Sequence, residues 1–417
     1  GRMRIMIDPT ENDLLIRALN GRFHYPKGAD GNIVGTVAAA KRVSGIYCVD
    51  EHTEMLTVDG WRSHDALKSG VLAYGWRRGS LVEERLVDVH RFPGPIEATE
   101  FRSASLSMVV TSTHQCLAKR RRTYRRGPAH FVDAAFVPAS ALTTAHYLVR
   151  VGAIKRRPTL SHDLIRACAW VMAEGHYHSG QTIRIVQSPT ANGPYCEELD
   201  ALFARLGGKR VRSTRMAVWS LGGDVAALIK LLMPGKVPSR ELWTRLSPHQ
   251  ARLFLYEAAR GDGHWANLPD EPLPPPPARF WRSFGNFFHK STVRIWQMNP
   301  AATDALQIIA TLGGLPARHL GRDAAGRYGL SLSGHRMLTC VNGLNRIPLA
   351  LPMAWCPETQ SGAWVARRRG HVFITGNSHA VDALAYVLAV LFPAEEQHRP
   401  PAKPTPAGAA PKTFIGA

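Results

Sequence analysis

The 417-residue chain carries 52 Lys and Arg against 32 Asp and Glu, a formal charge of +20 and a sequence pI near 10.2. At 45% hydrophobic content it is long enough for two or three buried cores, and its charge exceeds what solubility requires, which points to a polyanionic partner, most often nucleic acid. Six scattered cysteines (Cys48, Cys116, Cys168, Cys196, Cys340 and Cys356) form no C-x-x-C pair, which argues against a zinc ribbon or a disulfide scaffold and for a reducing, intracellular setting. Gly1–Glu11 lacks an apolar signal core and the longest apolar run, near Ala383–Phe392, is too short to span a bilayer. A soluble protein with no membrane partner is expected.

Along the chain, the pattern predicts a helix at Glu11–Leu19 and a Gly-rich loop around Lys27–Gly35. From Cys48 to about Arg150, short β-type runs such as Met55–Val58, Val71–Trp76 and Met108–Thr111 alternate with Gly, Pro and Ser, which predicts a mainly β region. From Ser161, helical periodicity appears in Ala167–Ala173, Glu197–Leu206 and Ala251–Arg260, mixed with a strand at Ile183–Gln187, which reads as α+β. The Pro-rich Leu268–Pro277 reads as an extended insertion. After about Arg346, β-type runs return at Ala363–Ala366 and Val372–Thr375. A helix at Ala380–Phe392 and a disordered tail rich in Pro and Ala follow.

The middle region contains an internal repeat. Ile183-Arg184-Ile185-Val186-Gln187, then a helix ending in Leu206-Gly207-Gly208, is matched by Val293-Arg294-Ile295-Trp296-Gln297, then a helix ending in Leu312-Gly313-Gly314. Arg215–Leu221 is echoed by Arg327–Ser333. Each copy follows a helix that ends in an acid and a glycine, Glu174-Gly175 and Asp262-Gly263. Two such helices packed side by side, with small residues such as Ala169 and Ala173 at the contact, bring two carboxylates together at a pseudo-twofold axis. Paired carboxylates suit divalent cations that activate water and neutralise charge on a phosphate.

This arrangement resembles the LAGLIDADG homing endonucleases, with Ala167–Gly175 and Leu255–Gly263 matching the two motifs. The resemblance implies double-stranded DNA as substrate, Mg2+ or a similar divalent cation as cofactor, and Glu174 and Asp262 as metal-binding catalytic acids. Met172 and Arg260 stand where that family often has an acid.

Three further elements stand at the borders of the β regions. Cys48 opens the first one; Thr111-Ser112-Thr113-His114 closes a β run; and Val372–Thr375 leads into Gly376-Asn377-Ser378. A thiol can attack the carbonyl preceding it, a Thr and His can polarise that peptide and protonate its amide, and an Asn can cyclise onto its own carbonyl. Together these residues resemble an intein, the self-excising element of protein splicing. The resemblance implies that Cys48, Asn377 and Ser378 carry the covalent steps, assisted by Thr111 and His114, with no cofactor for splicing.

Two departures stand out. Gly376 replaces the His that usually precedes the terminal Asn, which suggests slow cyclisation or help from another group such as His371. Cys356, in Trp355-Cys356-Pro357, occupies a position where many inteins carry Asp; some phage inteins use a Cys there as an additional nucleophile together with a Thr matching Thr375. Those inteins usually have a Trp where Cys116 stands. Cys356 is therefore either a buried structural thiol or an additional nucleophile.

Removing residues 48–377 would join Tyr47 to Ser378-His379-Ala380-Val381-Asp382-Ala383-Leu384, which resembles the end of a phage terminase large-subunit nuclease, with Asp382 as a metal-binding acid. The expected fold is multidomain, a mainly β Hint (hedgehog/intein) splicing domain interrupted by an α+β pseudo-twofold LAGLIDADG endonuclease domain. The segments are an N-terminal host fragment (1–47), the Hint N-terminal part (48–150), the endonuclease (151–345), the Hint C-terminal part (346–377) and a C-terminal host fragment (378–417). The expected partners are double-stranded DNA and the remainder of the terminase, for a monomer in the cytoplasm of a bacterial host. Two other readings stay open: a DNA-binding or DNA-cutting protein with passive β regions, and a defective intein that cleaves at one junction without joining.

Overall fold

The computed structural model describes residues 48–122, 130–178, 182–213, 215–266, 292–333 and 337–376. The expected helices at Glu11–Leu19 and Ala380–Phe392, the Pro-rich segment 268–277, and Asn377, Ser378 and Asp382 lie outside the described residues. The rest is mainly β, dominated by antiparallel pairing, with the α-helices of the described residues confined to residues 162–312.

Strand Ser80–Arg102 organises the β part. Its first stretch pairs with Leu72–Arg77, and its later stretch lies between Ser107–Thr111 and the long strand Asn345–Thr359. The register against Asn345–Thr359 shifts between Leu351 and Met353, opposite Gly94. A Cβ on Gly94 would lie 2.1 Å from the Leu351 carbonyl oxygen, so only a residue without a side chain lets the two backbones approach there.

Three central strands are buried on both faces. Met55, Trp364, Ala366 and Phe373 point into a core with Val49, Phe101, Met108 and Trp355. Their neighbours Leu56, Val365 and Ile374 point the other way, into a core shared with Trp170, Phe254 and Leu306 of the helical part. Alternation therefore cannot show in the sequence, and Ala363–Ala366 reads as an unbroken apolar run. Trp243 Nε1 donates to the Val58 carbonyl at 3.0 Å across the same junction. Strand Leu338–Cys340 pairs with His146–Val149, so the chain rejoins the β part before residue 346.

The middle region repeats one design twice. In the first half, strands Gly175–Tyr177, Ile183–Gln187, Ala217–Leu221 and Lys209–Val211 lie side by side in that order. In the second, Gly263–Ala266, Thr292–Gln297, Tyr328–Ser333 and Ala317–Arg322 follow the same order. Each sheet is preceded by a long helix. His162–Glu174 is capped by the Ser161 side chain, which accepts from the Leu164 amide. Pro248–Asp262 begins with a capping box between Ser247 and Gln250 and with Pro248 in its first turn. Both stop at a glycine because the chain folds sharply back: a Cβ on Gly175 would meet Val171 at 2.6 Å, and one on Gly263 the Ala259 carbonyl at 2.3 Å. No helix of the described residues is long and apolar enough to cross a membrane.

Candidate active sites

The first site is a row of side chains drawn across four strands. Val49 pairs with Trp355 on one side and with Val110 on the other, so Cys48, one residue earlier, lies between Cys356 and Thr111. Cys356 is in turn paired with His90 on strand Ser80–Arg102. Cross-strand partners share a face, so Thr111, Cys48, Cys356 and His90 form one line. Contacts bear this out: the Cys48 amide donates to Thr111 Oγ1 at 3.2 Å, the Thr111 amide to the Cys48 carbonyl at 3.1 Å, and the Cys48 thiol hydrogen-bonds the Cys356 sulfur.

Cys48 and Cys356 are fully buried. Burial, and then the Cys356 sulfur, pushes the Cys48 thiol well above its ordinary range. The Trp355 indole, which donates to the Asp50 carbonyl at 2.8 Å, and the ion pair of Asp50 with Arg368 at 2.7 Å fix the strand that carries Cys48.

His114 and Thr375 meet next to the Thr111 end of this row: the His114 amide donates to the Thr111 carbonyl at 3.1 Å, and Nε2 of the imidazole is hydrogen-bonded to Oγ1 of the threonine. Both are buried. Strand His371–Gly376 reaches this place because Thr375 pairs with Cys116, and its end is held by the Trp364 indole, which donates to the Gly376 carbonyl at 2.8 Å. The structure thus gathers Cys48, Thr111, His114, Cys356 and Thr375, which are dispersed in sequence, at the strand end that leads to Asn377.

His371 does not belong to that group. It begins the strand whose other end is Gly376, five residues away, and at ~3.3 Å per residue it stands well over 10 Å from the junction. Burial and the charges of Arg150, Arg318 and Arg102 depress it to about 4, so it sits in another, strongly basic environment. The expectation that it assists cyclisation is corrected on this ground. Sequence reading also missed His90, whose Nε2 lies 3.2 Å from Glu358 Oε2. No local motif marks it; its place follows only from a pairing between residues 268 apart.

The second site lies where the two long helices end. They touch through Ala173 and Gly261, and the acids that follow, Glu174 and Asp262, are close enough for Asp262 to raise the Glu174 carboxyl. Burial is the larger cause of that rise, and burial raises Asp262 as well. Gln297 donates from Nε2 to Asp262 Oδ2 at 2.9 Å, and its repeat counterpart Gln187 partly offsets the rise of Glu174. The charge of Lys236 partly offsets both rises. A pocket of about 520 Å³, lined by Lys236, Asp262, Trp296, Gln297 and Arg327 among others, opens there. The glutamines were legible in the sequence as the shared last residue of the two repeated strands; Lys236 has no counterpart and left no signal.

Arg260, found where a LAGLIDADG motif often has an acid, is occupied elsewhere. Its guanidinium bonds Glu257 at 3.0 Å and stacks 4.5 Å from the Tyr195 ring centre, while Glu257 also accepts from Arg166 at 2.6 Å and from the Trp170 indole at 2.8 Å. This buried network braces the helix pair and holds no catalytic oxygen free.

Opposite the helices, the sheets present basic rows. Register aligns His176, Arg184, Ser220 and Lys209 in the first sheet, and His264, Arg294, Ser331 and Arg318 in the second. The intervening Ile183, Ile185, Val293 and Ile295 face the core. Arg294 and Arg318 also line a pocket of about 200 Å³ with Arg150, Ser105, Ser331 and Ser333.

No protein-family model and no curated protein matches the sequence. Among solved structures, mesophilic variants of the homing endonuclease I-DmoI are similar at a TM-score of 0.28 and 10% identity, over 41% of this chain and 88% of that one. I-DmoI in complex with DNA and Ca gives 0.28 and 11%, over 41% and 83%. A bacterial intein-like domain from Clostridium thermocellum gives 0.21 and 15%, over 25% and 68%.

Proposed function

We propose that residues 48–377 are a self-splicing intein that carries a DNA endonuclease within residues 151–345 and interrupts a phage terminase large subunit. The observation that carries this reading is the convergence of Cys48, Thr111, His114, Cys356 and Thr375 at the strand end before Asn377. Thr111 holds the amide nitrogen of the Tyr47–Cys48 bond, and two thiols lie beside it.

In the proposed reaction a thiol sulfur, from Cys48 or from Cys356 as an additional nucleophile, adds to the Tyr47 carbonyl carbon. The Tyr47–Cys48 carbon–nitrogen bond breaks, and the freed amine takes up the thiol proton, with His114 as the proton carrier. The Ser378 hydroxyl then captures the acyl group and returns a thiol. The Asn377 side-chain nitrogen attacks its own carbonyl and breaks the Asn377–Ser378 bond, and an oxygen-to-nitrogen shift joins Tyr47 to Ser378. No cofactor enters.

For the endonuclease, Glu174 and Asp262 supply hard oxygen ligands, and their raised carboxyl groups mark two acids whose charges are poorly compensated by the protein alone. That donor set fits Mg2+ or a similar cation, which takes one or two carboxylates and fills its remaining positions with water and phosphate oxygens. Such a cation would polarise a phosphate and lower the pKa of a bound water. Gln297 orients Asp262, and the two basic rows hold the phosphates of double-stranded DNA. Asp382 would serve the terminase nuclease once the flanks are joined, in the cytoplasm of a bacterial host.

Intact mass of freshly expressed protein tests the splicing reading, with Cys48→Ala and Asn377→Ala beside the unmutated chain. A free species spanning residues 48–377, and a product joining 1–47 to 378–417, are expected from the unmutated chain and lost in the Asn377 variant. Persistence of the full chain in every sample would sink it. Fragments without a joined product would favour the junction-cleaving reading, which Gly376 and the distance of His371 keep in play.

A further inference from the structure

The His90 ring is held in a way the splicing chemistry described above does not use. It lies directly across from Cys356 in an antiparallel pair, where side chains stand about 4.5–5.5 Å apart at Cβ. Its Nε2 is committed to Glu358 at 3.2 Å, and Glu358 is two residues from Cys356, on the same face of the same strand. Nδ1 lies 4.0 Å from the largely exposed Asp88 carboxylate, beyond hydrogen-bond length. The ring itself is shielded, with 20% of the side chain exposed, and Glu358 is more shielded still at 14%.

Thiol, imidazole and carboxylate therefore follow one another across two strands, the third group fixing the second. That is the order needed to take a proton from a sulfur and keep it. We propose that His90, oriented by Glu358, is the general base that readies Cys356 for attack, so that the two adjacent thiols differ in reactivity. The inference rests on the splicing reading and deepens it.

In the step concerned, the Cys356 proton moves to His90 Nδ1 and the sulfur bonds to the Tyr47 carbonyl carbon. The carbon–nitrogen bond to Cys48 breaks, and its amine gains one proton, so that His90 ends neutral. Two features support it. The Glu358 hydrogen bond is the largest influence on His90 and raises it, which favours the imidazolium; burial opposes and Cys356 itself reinforces this. Cys48, by contrast, is desolvated and is raised further by the neighbouring sulfur, as expected if Cys356 ionises first. A thiolate beside an imidazolium is the reactive form of cysteine.

The test uses the full chain bearing Asn377→Ala, which stops the final cleavage, and follows release of residues 1–47 by dithiothreitol from pH 6 to pH 9, by intact mass. In the Cys48→Ser background, His90→Gln is expected to slow release about 100-fold at pH 7. The deficit should shrink as the pH rises and the thiolate forms unaided. Glu358→Gln, which keeps the strand pairing, should give a smaller loss with the same pH trend, and so guards against a folding defect in the His90 variant. Equal rates and equal pH profiles for His90→Gln and its parent would overturn the inference while leaving splicing intact. Loss of release in Cys48→Ser but not in Cys356→Ala would overturn it too. Absence of release from every chain, including the one altered only at Asn377, would remove the splicing reading and the inference together.

Discussion

A methyl group on Gly261 would lie 2.5 Å from the Cβ of Ala173, so the two long helices cross at a point where neither residue has room to grow. The acids that follow, Glu174 and Asp262, depend on this closeness to form one site. Gly261→Leu is expected to force the helices apart at a cost of about 1–3 kcal/mol, and to separate the carboxylates. Thermal melting with and without Mg2+ checks it: the variant should melt lower and lose its response to the cation, while splicing, followed by intact mass, continues. A variant that keeps the full Mg2+ response would show that the contact does not set the distance between the acids.

The same acids carry a pH signature. Both carboxyls are raised above their ordinary values of 4.5 and 3.8, chiefly by burial. A carboxyl raised in the folded state favours folding while protonated. That contribution is present below the unfolded value and is lost as pH rises through the folded one. Near neutral pH the pair therefore opposes folding unless a cation neutralises it. Glu174→Gln with Asp262→Asn is expected to raise the melting temperature at pH 7, to flatten the profile above about pH 4, and to abolish stabilisation by Mg2+. A double variant that melts below its parent at pH 7 would contradict this account.

How much of this was legible beforehand depends on the range of the interaction. Local signals worked. The strand Ile183–Gln187 falls where its alternation puts it, and the helices ending at Glu174 and Asp262 stop at the glycines that their backward turn requires. The repeat was legible because both sheets are built from the same order of elements. Thr375 and His114 could be paired only by resemblance, since 261 residues separate them and nothing local records the pairing. His90 is the sharper case: a lone histidine on a long strand acquires its place from the register of Ser80–Arg102 against Asn345–Thr359, which the sequence does not display. Arg260 was visible only as a departure from the motif, because a position in a motif says nothing of the buried Glu257 that claims it. Helix Pro189–Arg205 begins earlier than the pattern around Glu197 suggests, since Pro194 and the kink at Asn192 mask its first turns.

The basic rows give a prediction that needs no knowledge of the DNA target. Arg184 and Arg294 occupy equivalent positions in the two sheets, each paired with a histidine on one side and a serine on the other. If both contact phosphates, each contributes to the release of condensed counterions, and the logarithm of affinity falls with the logarithm of salt by roughly 0.9 per contact. Arg184→Ala and Arg294→Ala are each expected to weaken binding to a duplex of arbitrary sequence and to reduce the magnitude of the salt slope by about 1. The double variant should reduce it by about 2, because the sites lie on separate sheets and share no partner. Fluorescence anisotropy over a salt series measures this directly. A slope unchanged in both single variants would mean that the DNA does not lie across these two faces.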